Sequence, residues 1–184
     1  MKKLRWPAAG LLVGIILSCG NSNSKTADLQ NRTYLISMNG IDSLRLGMGK
    51  AELEKLLGTT FTLRHIPEGG ATDTFPARYK NNDFVIILQE GDDSTIATLH
   101  GVSTTSAACK TANGLGVGSE KIKVIEGYPI NKKFVGPVYD EYPVISQTRS
   151  VVAVTDTFQT NAIQFHIINR KVVSVEVNSY YEFY

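Results

Sequence analysis

Residues 46–58 read LGMGKAELEKLLG, and this stretch decides the predicted fold. Its glycine-flanked turn leads into a short helix, because Gly49 stands where an N-cap belongs and Glu52 complements the dipole of the first turn. Gly58 supplies a left-handed helix exit. Three apolar side chains follow the i, i+3, i+4 spacing of one helix face: Leu53, Leu56 and Leu57. The stretch therefore predicts a half-buried helix.

A similar stretch, LGVGSEKIKVIEG, stands at residues 115–127. Three glycines of the first stretch map onto three of the second with one offset of 69 residues: Gly47, Gly49 and Gly58 onto Gly116, Gly118 and Gly127. The apolar Leu53 and Leu56 then fall on Ile122 and Ile125. A shared offset of this kind indicates an internal repeat.

Each predicted helix is followed by a β-hairpin. In the first half, the apolar runs 84–88 and 96–99 flank a turn-like segment. In the second half, apolar and polar residues alternate over 163–167 and 173–177 around an Asn-Arg-Lys turn. This alternation predicts a face exposed to solvent, on which His166 and Glu176 form a cross-strand pair.

Further extended segments at 133–139 and 149–155 widen the predicted sheet of the second half. The predicted class is α+β: two repeats, each a short helix followed by an antiparallel sheet, with the helices packed on one sheet face. The predicted domains are a lipoprotein signal peptide at 1–18, a lipidated cysteine and flexible tether at 19–32, and repeats at 33–110 and 111–184.

The N-terminus has the features of a processing signal. Residues 1–5 are basic, and the apolar run 8–17 is too short to cross a bilayer, which takes about 20 apolar residues. The sequence LSCG that follows resembles a bacterial lipobox. The resemblance implies lipid transfer to the Cys19 thiol, cleavage between Ser18 and Cys19, and acylation, for example with palmitate, of the new N-terminus. The alternative is a secreted protein whose Cys19 lies near an ordinary cleavage site.

The residues after Cys19 predict the destination. Gly20 stands where an inner-membrane retention signal has Asp, which favours the outer membrane. Asp28 is the first acidic residue after Cys19, so an acid-rich tag for surface export is missing and a periplasm-facing domain is favoured. Two or three acyl chains would anchor the protein stably in the membrane.

Processing also changes the charge. The 184 residues include 19 basic and 17 acidic side chains, a net charge of +2. Cleavage removes three of the basic ones, so the mature domain is close to neutral and no nucleic-acid partner is predicted. The densest remaining basic cluster is interleaved with apolar residues, as on a solvated helix face: Lys121, Lys123, Lys132 and Lys133.

Cys109 is the only cysteine left for the folded domain, so it has no intramolecular disulfide partner. Three alternatives stay open: a buried thiol, an intermolecular disulfide, or a reactive nucleophile with His100 nearby. The residues around Cys109 provide little positive charge to lower its pKa, which favours the buried thiol.

No motif predicts a catalytic residue, a metal or a cofactor. The glycine-rich stretch at 114–118 lacks the spacing of a dinucleotide loop, and Ala51 replaces the Mg²⁺-binding hydroxyl of a phosphate-binding loop. The three histidines, His65, His100 and His166, lack metal-ligand spacing. The acidic pairs Asp92-Asp93 and Asp140-Glu141 are typical of solvated turns and loops.

The pattern Leu-Gly-Met-x-x-x-Glu-Leu-x-x-Leu-Leu-Gly at residues 46–58 resembles the helix-turn signature of two groups. One is the small lipoproteins similar to the accessory lipoprotein of the outer-membrane β-barrel assembly machinery; the other is the tandem-repeat β-lactamase inhibitory protein. The resemblance covers about 18 residues in each half and implies a non-enzymatic module that holds another protein with a sheet face or loops. The assembly lipoprotein normally has one repeat, and the inhibitor has disulfides that this chain lacks.

The C-terminus carries four aromatic side chains among its last five residues: Tyr180, Tyr181, Phe183 and Tyr184. They either anchor a protein partner or cover the protein's own helices. The predicted function is a membrane-anchored periplasmic lipoprotein that binds another envelope protein or assists envelope assembly. The alternatives are an inhibitor or immunity protein against a toxin or hydrolase, a thiol-dependent enzyme using Cys109, and a ligand carrier with a cavity between the repeats.

Overall fold

The computed structural model describes residues 34–64, 72–91 and 96–179, which form eleven strands, two α-helices and a 3-10 helix. The strands are β1 (Tyr34–Ser37), β2 (Gly40–Ile41), β3 (Leu44–Arg45), β4 (Thr72–Tyr79), β5 (Asn82–Glu90), β6 (Ala97–Thr104), β7 (Cys109–Thr111), β8 (Lys133–Glu141), β9 (Val144–Thr155), β10 (Asn161–Ile168) and β11 (Lys171–Ser179). The helices are α1 (Lys50–Leu57), α2 (Lys121–Glu126) and the 3-10 helix Ile130–Lys132.

Seven of these strands form one antiparallel sheet in the order β4-β5-β6-β11-β10-β9-β8, and the other four form a small sheet in the order β3-β2-β1-β7. The predicted hairpins are confirmed as β5–β6 and β10–β11, and the predicted extended segments as β8 and β9. The last strands of the two halves, β6 and β11, pair with each other. The large sheet therefore runs continuously from one half of the chain into the other.

The predicted α+β class is wrong, because the fold is mostly β. Strands hold 57% of the described chain, whereas α1 has eight residues and α2 has six. The small sheet takes the central place expected for helices: β2 contacts both β6 and β11, where the two halves meet. The helices lie to either side, α1 against β4 and β6 and α2 against β9. Strands of two to four residues are too short to show alternation, so the sequence pattern did not reveal them.

The hydrophobic core lies between the two sheets. Alternate residues of the large sheet point into it, among them Phe84, Ile86 and Leu88 of β5. The small sheet contributes Ile36, Ile41, Leu44 and Cys109. Burial of such a side chain contributes about 1.5–3 kcal/mol relative to leaving it in water. Most of the core energy therefore comes from strands, in keeping with the β-rich class.

The two halves share a turn-helix unit, but at a different register from the one that the glycines predict. In each half a glycine N–H donates to a carbonyl of the following hairpin, Gly47 to Leu99 and Gly118 to Val172. Both glycines have positive φ, +79° and +87°. Gly47 thus corresponds to Gly118, an offset of 71 residues rather than 69.

Burial in the helices agrees with this register. Leu53 of α1 and Val124 of α2 are both fully buried, and they too are 71 residues apart. Ile122, which the glycine offset matches to Leu53, is 53% exposed. The predicted match between Leu53 and Ile122 is therefore wrong. It arose because α2 is two residues shorter than α1, so that the exit glycines fit an offset that the entry glycines do not.

The hairpins after the helices are related by a local two-fold axis. β6 and β11 each carry one extra residue relative to the neighbouring strand, His100 and Val173, which are 73 residues apart. The same offset relates Ser103 to Glu176, and these two residues face each other directly across the β6–β11 pair. The local axis therefore passes between Ser103 and Glu176, in the middle of the large sheet.

Candidate functional site

Several predicted site residues lie outside the described residues. These are the lipidation and cleavage positions Cys19 and Ser18, the aromatic residues Tyr180, Tyr181, Phe183 and Tyr184, and His65 with the Asp92-Asp93 pair. Their roles stay predictions. Within the described ranges, no helix is both long and apolar enough to cross a membrane.

Cys109 is a buried thiol. Its side chain is fully buried in β7, which pairs with β1. Burial raises the pKa of the thiol above its usual value, and hydrogen bonds with the Thr104 and Ser106 hydroxyls only partly oppose that rise. A nucleophilic cysteine needs solvent access and a lowered pKa. The surroundings of Cys109 provide neither, so the thiol-dependent alternative receives no support.

Glu176 lies at the local two-fold axis, on the sheet face that points away from the small sheet. His166 Nε2 lies 3.9 Å from Glu176 Oε2, and Asn178 Nδ2 donates to Glu176 Oε1 at 2.8 Å. The predicted cross-strand pair of His166 and Glu176 is therefore confirmed, in a diagonal arrangement. His100 lies nearby, and burial lowers the pKa of its imidazole while the Glu176 charge opposes that shift. Among the described residues, no group of three potential ligands could hold a metal ion.

The β8–β9 hairpin extends past the end of the sheet. β10 pairs with β9 only at residues 149–155, so residues 137–148 pair only with one another among the described strands. We call residues 137–148 the arm. Its exposed apolar side chains are Tyr139, Tyr142, Val144 and Ile145, with Tyr142 84% exposed. The rings of Tyr139 and Tyr142 lie 5.5 Å apart between centroids. Contiguous exposed apolar surface of this kind marks interaction sites.

A bulge at the base of the arm sets its direction. Four residues of β9, 146–149, stand opposite one residue of β8, Val138. The buried Ser146 hydroxyl accepts the backbone N–H groups of Thr148 at 3.4 Å and of Arg149 at 3.1 Å. Bulges bend a strand and are frequent beside functional sites. The bulge is therefore a built feature that shapes the surface next to it.

An ion pair braces the two strands of the arm. The Arg149 guanidinium donates to the Asp140 carboxylate at 2.6 Å and to the Tyr139 carbonyl at 2.9 Å. The hydrogen bond from Arg149 holds the pKa of Asp140 below its usual value. Because the pair is exposed, its contribution to stability is small, but it fixes the geometry of the strand crossing.

A groove of about 1040 Å³ separates the arm from α2. Its apolar lining consists of Ile122 and Ile125 from α2, Val135 from β8, Ile145 from β9 and the buried Ile167 from β10. Its charged rim consists of Lys121, Arg149, Arg170, Lys171 and Glu120. The groove thus combines an apolar floor with a mainly basic rim.

The turn between β10 and β11 places two of the rim cations. Asn169 and Arg170 have φ values of +50° and +69°, as a tight hairpin turn with positive φ at both central residues requires. The Lys121 N–H donates to the Arg170 carbonyl at 2.8 Å, which ties this turn to the start of α2. In the part of the chain that the structure describes, the side chains of Lys121, Arg170 and Lys171 form no ion pair or hydrogen bond. Their charges are therefore uncompensated at the rim.

The sequence pattern did not reveal this site. The basic cluster that was predicted to be a solvated helix face has two roles: Lys121 lines the groove, whereas Lys133 donates to the carbonyls of Ile125 and Tyr128 at the end of α2. The available signal was the hairpin turn, which is basic at Arg170-Lys171 and acidic at the corresponding Asp92-Asp93 of the first half.

Comparisons of the chain with protein-family models, with curated proteins and with solved structures found no significant match. The resemblance to assembly lipoproteins and to the β-lactamase inhibitory protein therefore stays a prediction.

Proposed function

We propose that this chain is a lipid-anchored, non-enzymatic envelope protein whose folded part binds another envelope protein through the arm and the adjoining groove. The observation that carries the proposal is the arm itself. Four apolar side chains are exposed together on a hairpin that a bulge and the Arg149–Asp140 ion pair hold in place. A braced apolar surface of this kind is typical of a partner-binding site, because in water it has an unfavourable free energy until a partner covers it.

The membrane anchor in this proposal rests on the sequence around Cys19. Replacement of Cys19 by Ala should move the protein from the membrane fraction to the soluble fraction and abolish metabolic labelling with palmitate. Sucrose-gradient separation of the two membranes should place the wild-type protein in the outer membrane. A Cys19→Ala protein that stays in the membrane fraction would contradict the anchor.

The binding surface is tested by a matched pair of double variants. Tyr142→Ser with Ile145→Ser removes apolar area from the arm, whereas Ile130→Ser with Phe158→Ser removes comparable area from exposed positions elsewhere. We expect the arm variant to lose its partner during co-purification from detergent-solubilised membranes and the control to retain it. Equal retention by both variants would rule out the arm. An enzyme recovered in a stoichiometric, inhibited complex would identify an inhibitor rather than an assembly factor.

A further inference from the structure

We infer that the groove between α2 and the arm binds an extended segment of the partner protein that carries carboxylate groups beside aliphatic side chains. This inference rests on the proposed function and adds the chemistry of the bound segment. It is carried by the form of the groove, by its apolar floor and by the uncompensated charge at its rim.

The form of the groove suits an extended chain. A helix forms one wall and a strand pair forms the other, and the space of about 1040 Å³ between them is open to solvent along its length. Small molecules are usually bound in clefts that bury most of their surface. An open channel beside a strand pair leaves one side of its occupant in water, as extended peptides are bound in other proteins.

The floor selects aliphatic side chains. Ile122 and Ile145 are half-exposed on opposite walls, and the buried Ile167 lies between them. A partner that inserts aliphatic groups here removes apolar surface from water on both molecules, at about 25 cal/mol per Å². None of the five apolar lining residues carries a polar side-chain atom that would need a hydrogen bond.

The rim selects carboxylates. Lys121, Arg170 and Lys171 have no partner among the described residues, and Glu120 is the one acidic residue of the lining. Arg149 is already neutralised by Asp140. The remaining rim therefore has an excess of positive charge, which steers an acidic segment towards the groove and disfavours a basic one.

The basic rim is specific to this half of the molecule. The corresponding turn of the first half has Asp92-Asp93 in the sequence where this turn has Arg170-Lys171. Since the two halves share their turn-helix unit, the basic charge does not follow from the unit itself. It belongs to the half that also has the arm.

The test measures the binding of three fluorescein-labelled peptides by fluorescence anisotropy: alternating Glu and Ile, alternating Lys and Ile, and alternating Glu and Ser. We expect binding of the Glu/Ile peptide alone, weakened by added salt. The double variant K121E/R170E should weaken that binding about tenfold or more, because it turns two attractions into repulsions. The matched control K123E changes the same charge on the same helix outside the groove and should leave binding unchanged.

Three results would overturn the inference: no binding of the Glu/Ile peptide, equal binding of the Lys/Ile peptide, or an equal loss of binding in K123E. Competition by vesicles containing an anionic lipid as strong as that by unlabelled Glu/Ile peptide would also overturn it, in favour of a lipid headgroup. Near-ultraviolet circular dichroism verifies that each variant is folded. If peptide binding fails while the arm variant still loses its partner, the inference falls and the proposed function stands. If the peptide binds but the arm variant keeps its partner, the proposed function falls instead.

Discussion

The two halves of the large sheet begin with the same turn-helix unit, but only the second half leaves a groove beside its helix. In the first half, the Glu54 carboxylate accepts the Phe61 N–H at 2.7 Å, and Phe61 packs on Phe75 with ring centroids 4.9 Å apart. In the second half, Lys133 binds the carbonyls at the end of a shorter helix, and β8 and the arm follow. The segment after the helix therefore decides whether the shared unit closes over the core or opens a binding surface.

The largest expected effect tests the register that relates the halves. Leu53→Ala should lower the free energy of unfolding by about 3 kcal/mol and Val124→Ala by about 2 kcal/mol, because both leave cavities in the core. Ile122→Ala should change it by less than about 0.5 kcal/mol, because that side chain is half-exposed. Urea unfolding followed by circular dichroism measures all three. A cost for Ile122→Ala as large as that for Val124→Ala would contradict the 71-residue offset.

A smaller effect tests the turns that enter the two helices. Gly47→Ala and Gly118→Ala should each destabilise the protein by about 1 kcal/mol, because φ values of +79° and +87° are strained for residues with a Cβ. Space is not the reason, since a Cβ at either position would have no neighbour within 4 Å. Gly49→Ser, at an N-cap with φ of −64°, is the control and should cost nothing. Unequal costs for the two alanine variants in urea unfolding would break the proposed equivalence.

The smallest effect concerns pH and separates a buried carboxylate of the first half from an exposed one of the arm. The backbone N–H and then the side chain of Arg64 hold the pKa of Asp73 below its usual value. A carboxyl whose pKa is lowered by folding stabilises the protein above its unfolded-state pKa, and that contribution is lost as pH falls. Stability should therefore decline as the pH drops below about 4.

Asp73→Asn should make this acid decline shallower, because the Asp73 side chain is only 8% exposed. Asp140→Asn should alter it little, because that carboxylate is 53% exposed and its pair with Arg149 is screened by solvent. Urea midpoints across the acid range give both slopes. A larger change of slope in the Asp140 variant than in the Asp73 variant would reverse the expected roles of the two ion pairs.

Local patterns in the sequence predicted the hairpins and both helices correctly, because alternation over β10 and β11 and glycine-bounded helices are signals within one short stretch. They did not predict the small sheet, whose strands have two to four residues. The groove was also beyond local patterns. Its lining joins residues that lie far apart in the chain, such as Lys121, Ile145 and Arg170, and only the fold brings them together.

The central claim is that a partner protein contacts the arm and groove of the second half rather than the first half. Site-specific photo-cross-linking in intact cells tests it most directly, with a photoreactive amino acid at Ile145 or, as the control, at Thr72. Thr72 is exposed at the end of β4, which holds the place in the first half that β9 holds in the second. The account predicts a discrete cross-linked protein from position 145 and none from position 72. Cross-linking from position 72 alone, or equally from both positions, would contradict it.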